Sequence, residues 1–193
     1  MIGRGMFRII VIAANVAFAG PVAAQSPSGA DASALLARMT RTHEAGDAVA
    51  ARATADSALA VLPLADARRA EALFVRAATA PTPAAARTDW LRIVVDHPVS
   101  PRAEDALLAL ADLEWKAGDR AATARHLQQL LGVGLTAERS VREAHRMGML
   151  LLQGNEPRLG CAVLEAARTQ VPAGQVELAN QIARSEEHTS ELQ

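Results

Sequence analysis

The chain has 193 residues, of which 50% are hydrophobic, with 20 basic and 21 acidic side chains and a formal net charge of -1. So even a balance excludes the electrostatic footprint of a nucleic-acid binder and of a protein held to an anionic membrane surface. The single cysteine, Cys161, excludes an internal disulfide framework, and with no tyrosine at all the fold must rest on aliphatic packing.

At the N-terminus, Arg4 and Arg8 precede an apolar run that opens with Ile9-Ile10-Val11-Ile12-Ala13-Ala14 and extends to about Ala19. Gly20 and Pro21 break it, and Val22-Ala23-Ala24 then supplies the small side chains that a signal peptidase reads. Residues 1–24 are expected to be a secretory signal peptide, cut before Gln25, which makes the mature protein exported and periplasmic. The alternative is a retained membrane anchor, but the run is shorter than the roughly 20 residues a spanning helix needs. No cysteine follows the apolar run, so neither a lipoprotein anchor nor any stable membrane anchor after cleavage is expected. Residues 25–32 are small and polar and are expected to be a linker.

From residue 33 to residue 183 alanine dominates, the strongest helix former. Apolar residues recur at helical spacing, as at Leu107, Leu110 and Leu113, and no strands are expected. Turn signals stand at Ala45-Gly46-Asp47, Ala117-Gly118-Asp119 and Gln153-Gly154-Asn155. Gly118 lies 72 residues after Gly46 and 36 before Gly154, so the implied period is 36. That period predicts a further turn near residue 82, where Ala80-Pro81-Thr82-Pro83 is a strong helix breaker. The flanking columns agree. Nine residues after the turn centres stand Ala55, Leu91, Leu127 and Val163; twelve after stand Ala58, Val94, Leu130 and Ala166; seven before stand Met39, Val75, Ala111 and Met147. All are apolar. The expected architecture is therefore all-α, about four helix-turn-helix units. Pro63, Pro98 and Pro172 are expected to close the second helix of three units and Gly132 that of the remaining one. Ser100-Pro101 reads as N-cap and first residue of the next helix.

These units resemble tetratricopeptide repeats. The best matching segment is DHPVSPRAEDALLALADLEWKAGDRAATARHLQQLL, residues 96–131. It is similar to the divergent repeats of periplasmic envelope proteins such as cell-division coordinators and outer-membrane-assembly proteins. The resemblance covers residues 33–183 and departs from the family where aromatic positions are aliphatic and where Gly160-Cys161-Ala162 falls one residue late. It implies a TPR-like α-α superhelix whose groove holds extended or helical segments of protein or peptide partners in the envelope.

Residues that carry chemistry elsewhere are scattered here. His43, His97, His126 and His145 have no metal-ligand spacing, so no metal is expected. His43 and Trp115 share a repeat position, three before the turn, and read as packing positions. His97 precedes a proline at a helix end, where a cationic ring suits the dipole. Cys161 has no partner base nearby in sequence and reads as structural, between two small residues. Gly132-Val133-Gly134-Leu135-Thr136-Ala137 fits GxGxxA, but it follows helix rather than strand, so no dinucleotide cofactor, and no cofactor of any kind, is expected. Basic residues group only at Arg68-Arg69 and at Arg139, Arg142 and Arg146. The last three share one helix face. Interleaved with Glu138 and Glu143, they read either as a solvated face or as a partner-binding face for an acidic or carboxylate-ended partner. No catalytic motif stands out, and no enzyme is expected.

The C-terminus breaks the pattern. Residues 184–193, RSEEHTSELQ, contain no alanine. The codons AGA TCG GAA GAG CAC ACG TCT GAA CTC CAG encode them, and that string resembles a sequencing-library adapter. The tail is expected to be an artefact, with the natural protein extending past Ala183. Removing Arg4, Arg8 and Arg184 leaves 17 of 20 basic residues, and removing Glu186, Glu187 and Glu191 leaves 18 of 21 acidic ones, so the mature balance stays near zero. The leading expectation is a non-catalytic scaffold for envelope assembly or division. Two alternatives depend on the natural sequence beyond Ala183. One is the partner-binding arm of a protein that holds peptidoglycan through a missing sporulation-related (SPOR) domain. The other is a repeat region ahead of a lost enzyme domain.

Overall fold

The computed structural model describes residues 29–133 and 137–190. The signal peptide expected over 1–24 lies outside these residues. The described residues form nine helices, all α, with no strand. They are α1 (Gly29–Glu44), α2 (Ala48–Val61), α3 (Arg69–Ala78), α4 (Pro83–Asp96), α5 (Pro101–Ala117), α6 (Arg120–Val133), α7 (Ala137–Gln153), α8 (Pro157–Thr169) and α9 (Val176–Ser190). Among the described residues no helix is long and apolar enough to cross a membrane.

Consecutive helices pair as α1–α2, α3–α4, α5–α6 and α7–α8, and each pair packs on the next. The protein is therefore an all-α helical repeat array, and the four turns fall where the 36-residue period puts them. Gly46 (φ 76°) and Gly118 (φ 84°) take left-handed conformations, which only glycine adopts freely. In the fourth unit the left-handed residue is Asn155 (φ 61°), not the neighbouring Gly154. Asparagine tolerates this region because its short side chain bonds locally. The turn near residue 82 uses other chemistry: Thr82 Oγ1 accepts from the Ala85 amide at 3.2 Å and Pro83 occupies the first helical turn. Asp47 and Asp119 cap the second helices of their units in the same way, accepting from Ala50 at 3.0 Å and Ala122 at 2.8 Å. Each such cap stabilises its helix by about 1 kcal/mol. Ser100 caps α5 as expected, accepting from the Arg102 amide at 3.2 Å ahead of Pro101.

Packing follows the predicted columns. Met39, Val75, Ala111 and Met147 are buried, as are Ala55, Ala58, Leu127, Leu130 and Val163. Leu91, Val94 and Ala166 are half-buried. The small side chains let helices approach closely. The closest case is α7 against α8: a Cβ at Gly160 would lie 2.7 Å from Leu152 Cδ2, and one at Gly148 would lie 3.0 Å from Leu164 Cδ2. Cys161, next to Gly160 in sequence, is half-buried.

Three expectations change. Gly132 does not end α6; it lies in the last helical turn and is not left-handed, so it supplies no C-cap. The linker expected over 25–32 is helical from Gly29, because Ala30 and Ala32 extend the helix and Ala32 buries against the core. A ninth helix follows the fourth unit. Gly174 (φ 95°) turns the chain into α9, whose Leu178 and Ile182 complete the core of the last unit. The helix α9 stands where the period puts the first helix of a fifth unit, and it runs through residues 184–190.

Candidate interaction surface

The first helices of the units are α1, α3, α5, α7 and α9; α1–α3, α3–α5 and α7–α9 pack together, whereas the third and fourth units pack chiefly through α6, against α7 and α8. Polar contacts link this row across the units. Ser33 Oγ accepts from Arg68 at 3.3 Å. Glu71 of α3 takes both Nε and Nη2 of Arg102 on α5, at 2.6 and 2.9 Å. Asp105 bridges Arg102 at 2.9 Å to Arg139 of α7 at 2.8 Å. Ser140 donates to the buried Glu104 at 3.3 Å, and Gln175 donates to Glu138 at 3.2 Å. Hydrogen-bonded partners in this row stand 31 to 37 residues apart, close to one repeat. Each repeat thus presents a polar group to the next at the same edge. The Glu71 pair raises the Arg102 pKa above its ordinary value against the opposing effect of burial, with Asp105 adding to the rise. The Arg102 guanidinium also lies 4.5 Å from the Phe74 ring centroid, so it covers an aromatic face.

A groove of about 550 Å³ lies between α3, α4 and α5. Its walls are Ala77, Ala78, Pro83, Trp90, Ala109 and Leu113. The rim carries Asp112 and Lys116, which pair with each other at 2.6 Å. The groove is therefore apolar inside and neutralised at its mouth. Trp90 Nε1 is buried with no hydrogen-bond partner among the described residues.

Arg139, Arg142 and Arg146 project from α7 and are exposed, and each is paired: with Asp105, Glu138 and Glu143 respectively. The face is solvated and internally neutralised. Arg68 pairs with Asp66, and that contact holds the Asp66 carboxyl down to about 2. Arg69 instead reaches back to the end of α2, donating to the carbonyls of Leu59 at 2.8 Å and Leu62 at 2.7 Å. These carbonyls have no partner within their own helix, so the Arg69 guanidinium closes the C-terminal end of α2.

The histidines stay apart. His43 is exposed on α1, which corrects its reading as a packing position. Trp115, in the same column, is half-buried with the Arg120 guanidinium 3.6 Å from its ring centroid. The difference arises because the next unit's turn, at Gly154, reaches Trp115, so that a Cβ there would lie 3.5 Å from its ring. His97 caps α4 and is buried, its amide bonded to the Ile93 carbonyl. His126 and His145 lie on α6 and α7, and burial lowers the pKa of both. Among the described residues no group of three or more histidine, cysteine, aspartate or glutamate side chains could hold a metal ion. The residues of the GxGxxA pattern lie partly outside the described residues; Gly132 and Val133 belong to α6.

The sequence alone does not single out the contacts of Glu71, Arg102 and Asp105 or the groove lined by Trp90. The repeat-spaced charges were the available signal, since Asp105 and Arg139 are nearly one period apart. No protein-family model matches the protein, and no curated protein matches it. The architecture defines the class: an all-α array of helix-turn-helix units.

Proposed function

We propose that the protein is a non-catalytic, exported, TPR-like scaffold that binds protein or peptide segments in the bacterial cell envelope, in assembly or division. The observation that carries this reading is the apolar groove between α3, α4 and α5 at Ala77, Trp90, Ala109 and Leu113. Stacked hairpins of this kind bury their cores against one another and leave one face to a ligand. The rim pair Asp112–Lys116 leaves the groove without net charge, which suits an apolar anchor more than an acidic one. Export rests on residues 1–24 and their small-residue site before Gln25.

Two measurements test the reading together. Expressed from its own start codon in a Gram-negative host, the protein should fractionate with the periplasm and begin at Gln25 by intact mass. The purified mature protein should then retain a discrete set of envelope proteins that a Leu113→Arg variant loses at unchanged helicity. A cytoplasmic, uncut protein ends the export reading. Equal retention by wild type and variant ends the assignment of the groove.

A further inference from the structure

Of the five large hydrophobic side chains that stand most exposed among the described residues, three gather at one place: Leu64 (83%), Val95 (72%) and Val99 (84%). Leu64 follows α2, and Val95 and Val99 flank the end of α4. The packing leaves this place open. Among the second helices of the units, α6 packs on α8, whereas α2 makes no comparable contact with α4. A cleft of about 400 Å³ is lined here by Leu64 and Ala65, by Arg69 and Leu73 of α3, and by Arg92 and Asp96 of α4. A second cleft, of about 700 Å³, shares Ala65 and Asp96 with the first and runs on to Val99 and Arg102.

The other arginines and the glutamate that line the two clefts are already engaged. Arg68 is held by Asp66, Arg102 by Glu71, and Arg69 by the carbonyls at the end of α2. Arg92 and Asp96 are different. Both are exposed, and neither has a hydrogen bond or ion pair among the described residues, although they stand one helical turn apart on α4. Asp96 also lies in the last turn of α4, where the helix dipole opposes a carboxylate and favours a cation. An acidic partner would satisfy Arg92 and be repelled at Asp96, and a basic partner the reverse. A second copy across a two-fold axis satisfies both. In such a contact residue i meets j and j meets i, so Arg92 of each copy reaches Asp96 of the other.

We propose that the protein self-associates through this patch as a two-fold dimer, with the two α4 helices antiparallel, Leu64, Val95 and Val99 buried around the axis and two Arg92–Asp96 pairs formed across it. The apolar side chains supply the driving force and the charges fix the orientation. The groove between α3, α4 and α5 takes Pro83, Ala86 and Trp90 from the other part of α4, so a dimer carries two grooves. Its formation does not depend on what those grooves hold.

The test is sedimentation velocity over a concentration series, on the protein in the form in which its host accumulates it. The wild type should pass from one copy to two and stop there. Val95→Arg, at an exposed position, should weaken the dimer at unchanged helical circular dichroism. Arg92→Asp and Asp96→Arg each set like charges against one another across the axis, and each alone should weaken the dimer by at least about tenfold. In an equimolar mixture the first variant is acidic at both positions and the second basic at both, so the two should pair with each other at close to wild-type strength. A folding defect in either variant does not produce that rescue. The proposal is overturned by a protein that stays a single copy at every concentration, alone or with some other protein bound. It is equally overturned by association that runs past two copies, by a dimer that Val95→Arg leaves intact, or by a mixture that associates no more tightly than its components.

Discussion

Gly160 gives the sharpest test of how the units pack. Replacing it by alanine sets two effects against each other. Alanine favours a helix interior by about 1 kcal/mol over glycine. Against this, the new Cβ would lie 2.7 Å from both Cδ2 and Cγ of Leu152 and 3.0 Å from the Gly148 carbonyl oxygen. Leu152 can rotate its terminal methyl away, but its Cγ and the Gly148 backbone yield only if α7 and α8 separate. Overpacking of that kind costs about 1–3 kcal/mol, so the clash wins and Gly160→Ala should destabilise by about 1 kcal/mol. Gly132→Ala is the matched control. It is also helical, and its Cβ would meet nothing within 4 Å, so it should stabilise by about 0.5 kcal/mol. Urea titration followed by helical circular dichroism measures both. A protein of this size shifts its midpoint by roughly 2–4 °C per kcal/mol on heating, so the two variants should move in opposite directions. Both moving upward would refute the close α7–α8 contact at Gly160.

Asp89→Ala should destabilise by about 3 kcal/mol, because Asp89 is buried and holds Arg76 by two bonds, at 2.6 and 2.8 Å, leaving only the exposed Asp56 as substitute; a change under about 1 kcal/mol in the urea midpoint contradicts the pairing. Arg69→Leu removes two bonds to the end of α2 and should cost about 1–3 kcal/mol, with the loss visible as faster amide exchange in the last turn of α2. Burial lowers the pKa of His126 and His145 in the folded protein, so the unfolded state binds protons more readily. Their contribution is complete above the ordinary value of 6.5 and is lost as pH falls from there toward the folded values. The urea midpoint should therefore fall over that window, and a midpoint that rises on acidification contradicts the burial. Arg139, Arg142 and Arg146 form exposed pairs, each worth about 0–1 kcal/mol; replacing all three with alanine should leave the melting curve nearly unchanged, so any loss of partner retention in that variant reports binding.

The periodic features were legible because they are local. Gly46, Gly118 and Gly154 set a spacing, and the spacing placed a turn at Thr82 that has no glycine at all. The core columns were legible for the same reason, since a residue seven before a turn faces the partner helix in every unit. The features that stayed hidden depend on lateral neighbours. His43 and Trp115 occupy one column, yet His43 is exposed while Trp115 is half-buried and meets the turn of the following unit at Gly154. Gly132 has the residue type of a glycine cap, but that cap requires a left-handed backbone, which residue type and position alone do not determine. The helix α9 was obscured by the change of composition at Arg184, although Leu178 and Ile182 already carried the helical spacing. The polar links between Glu71, Arg102, Asp105 and Arg139 needed the stacking angle of the units before their charges could be paired.

The surface reading has a direct test in site-specific photo-crosslinking from within the envelope of living cells. A crosslinking residue at Leu113, on the groove wall, should trap a discrete protein partner, and the same residue at Arg125, exposed on the second helix of its unit, should not. Trapping from Arg125 alone, or from neither position, would contradict the assignment of the groove between α3, α4 and α5 as the binding face.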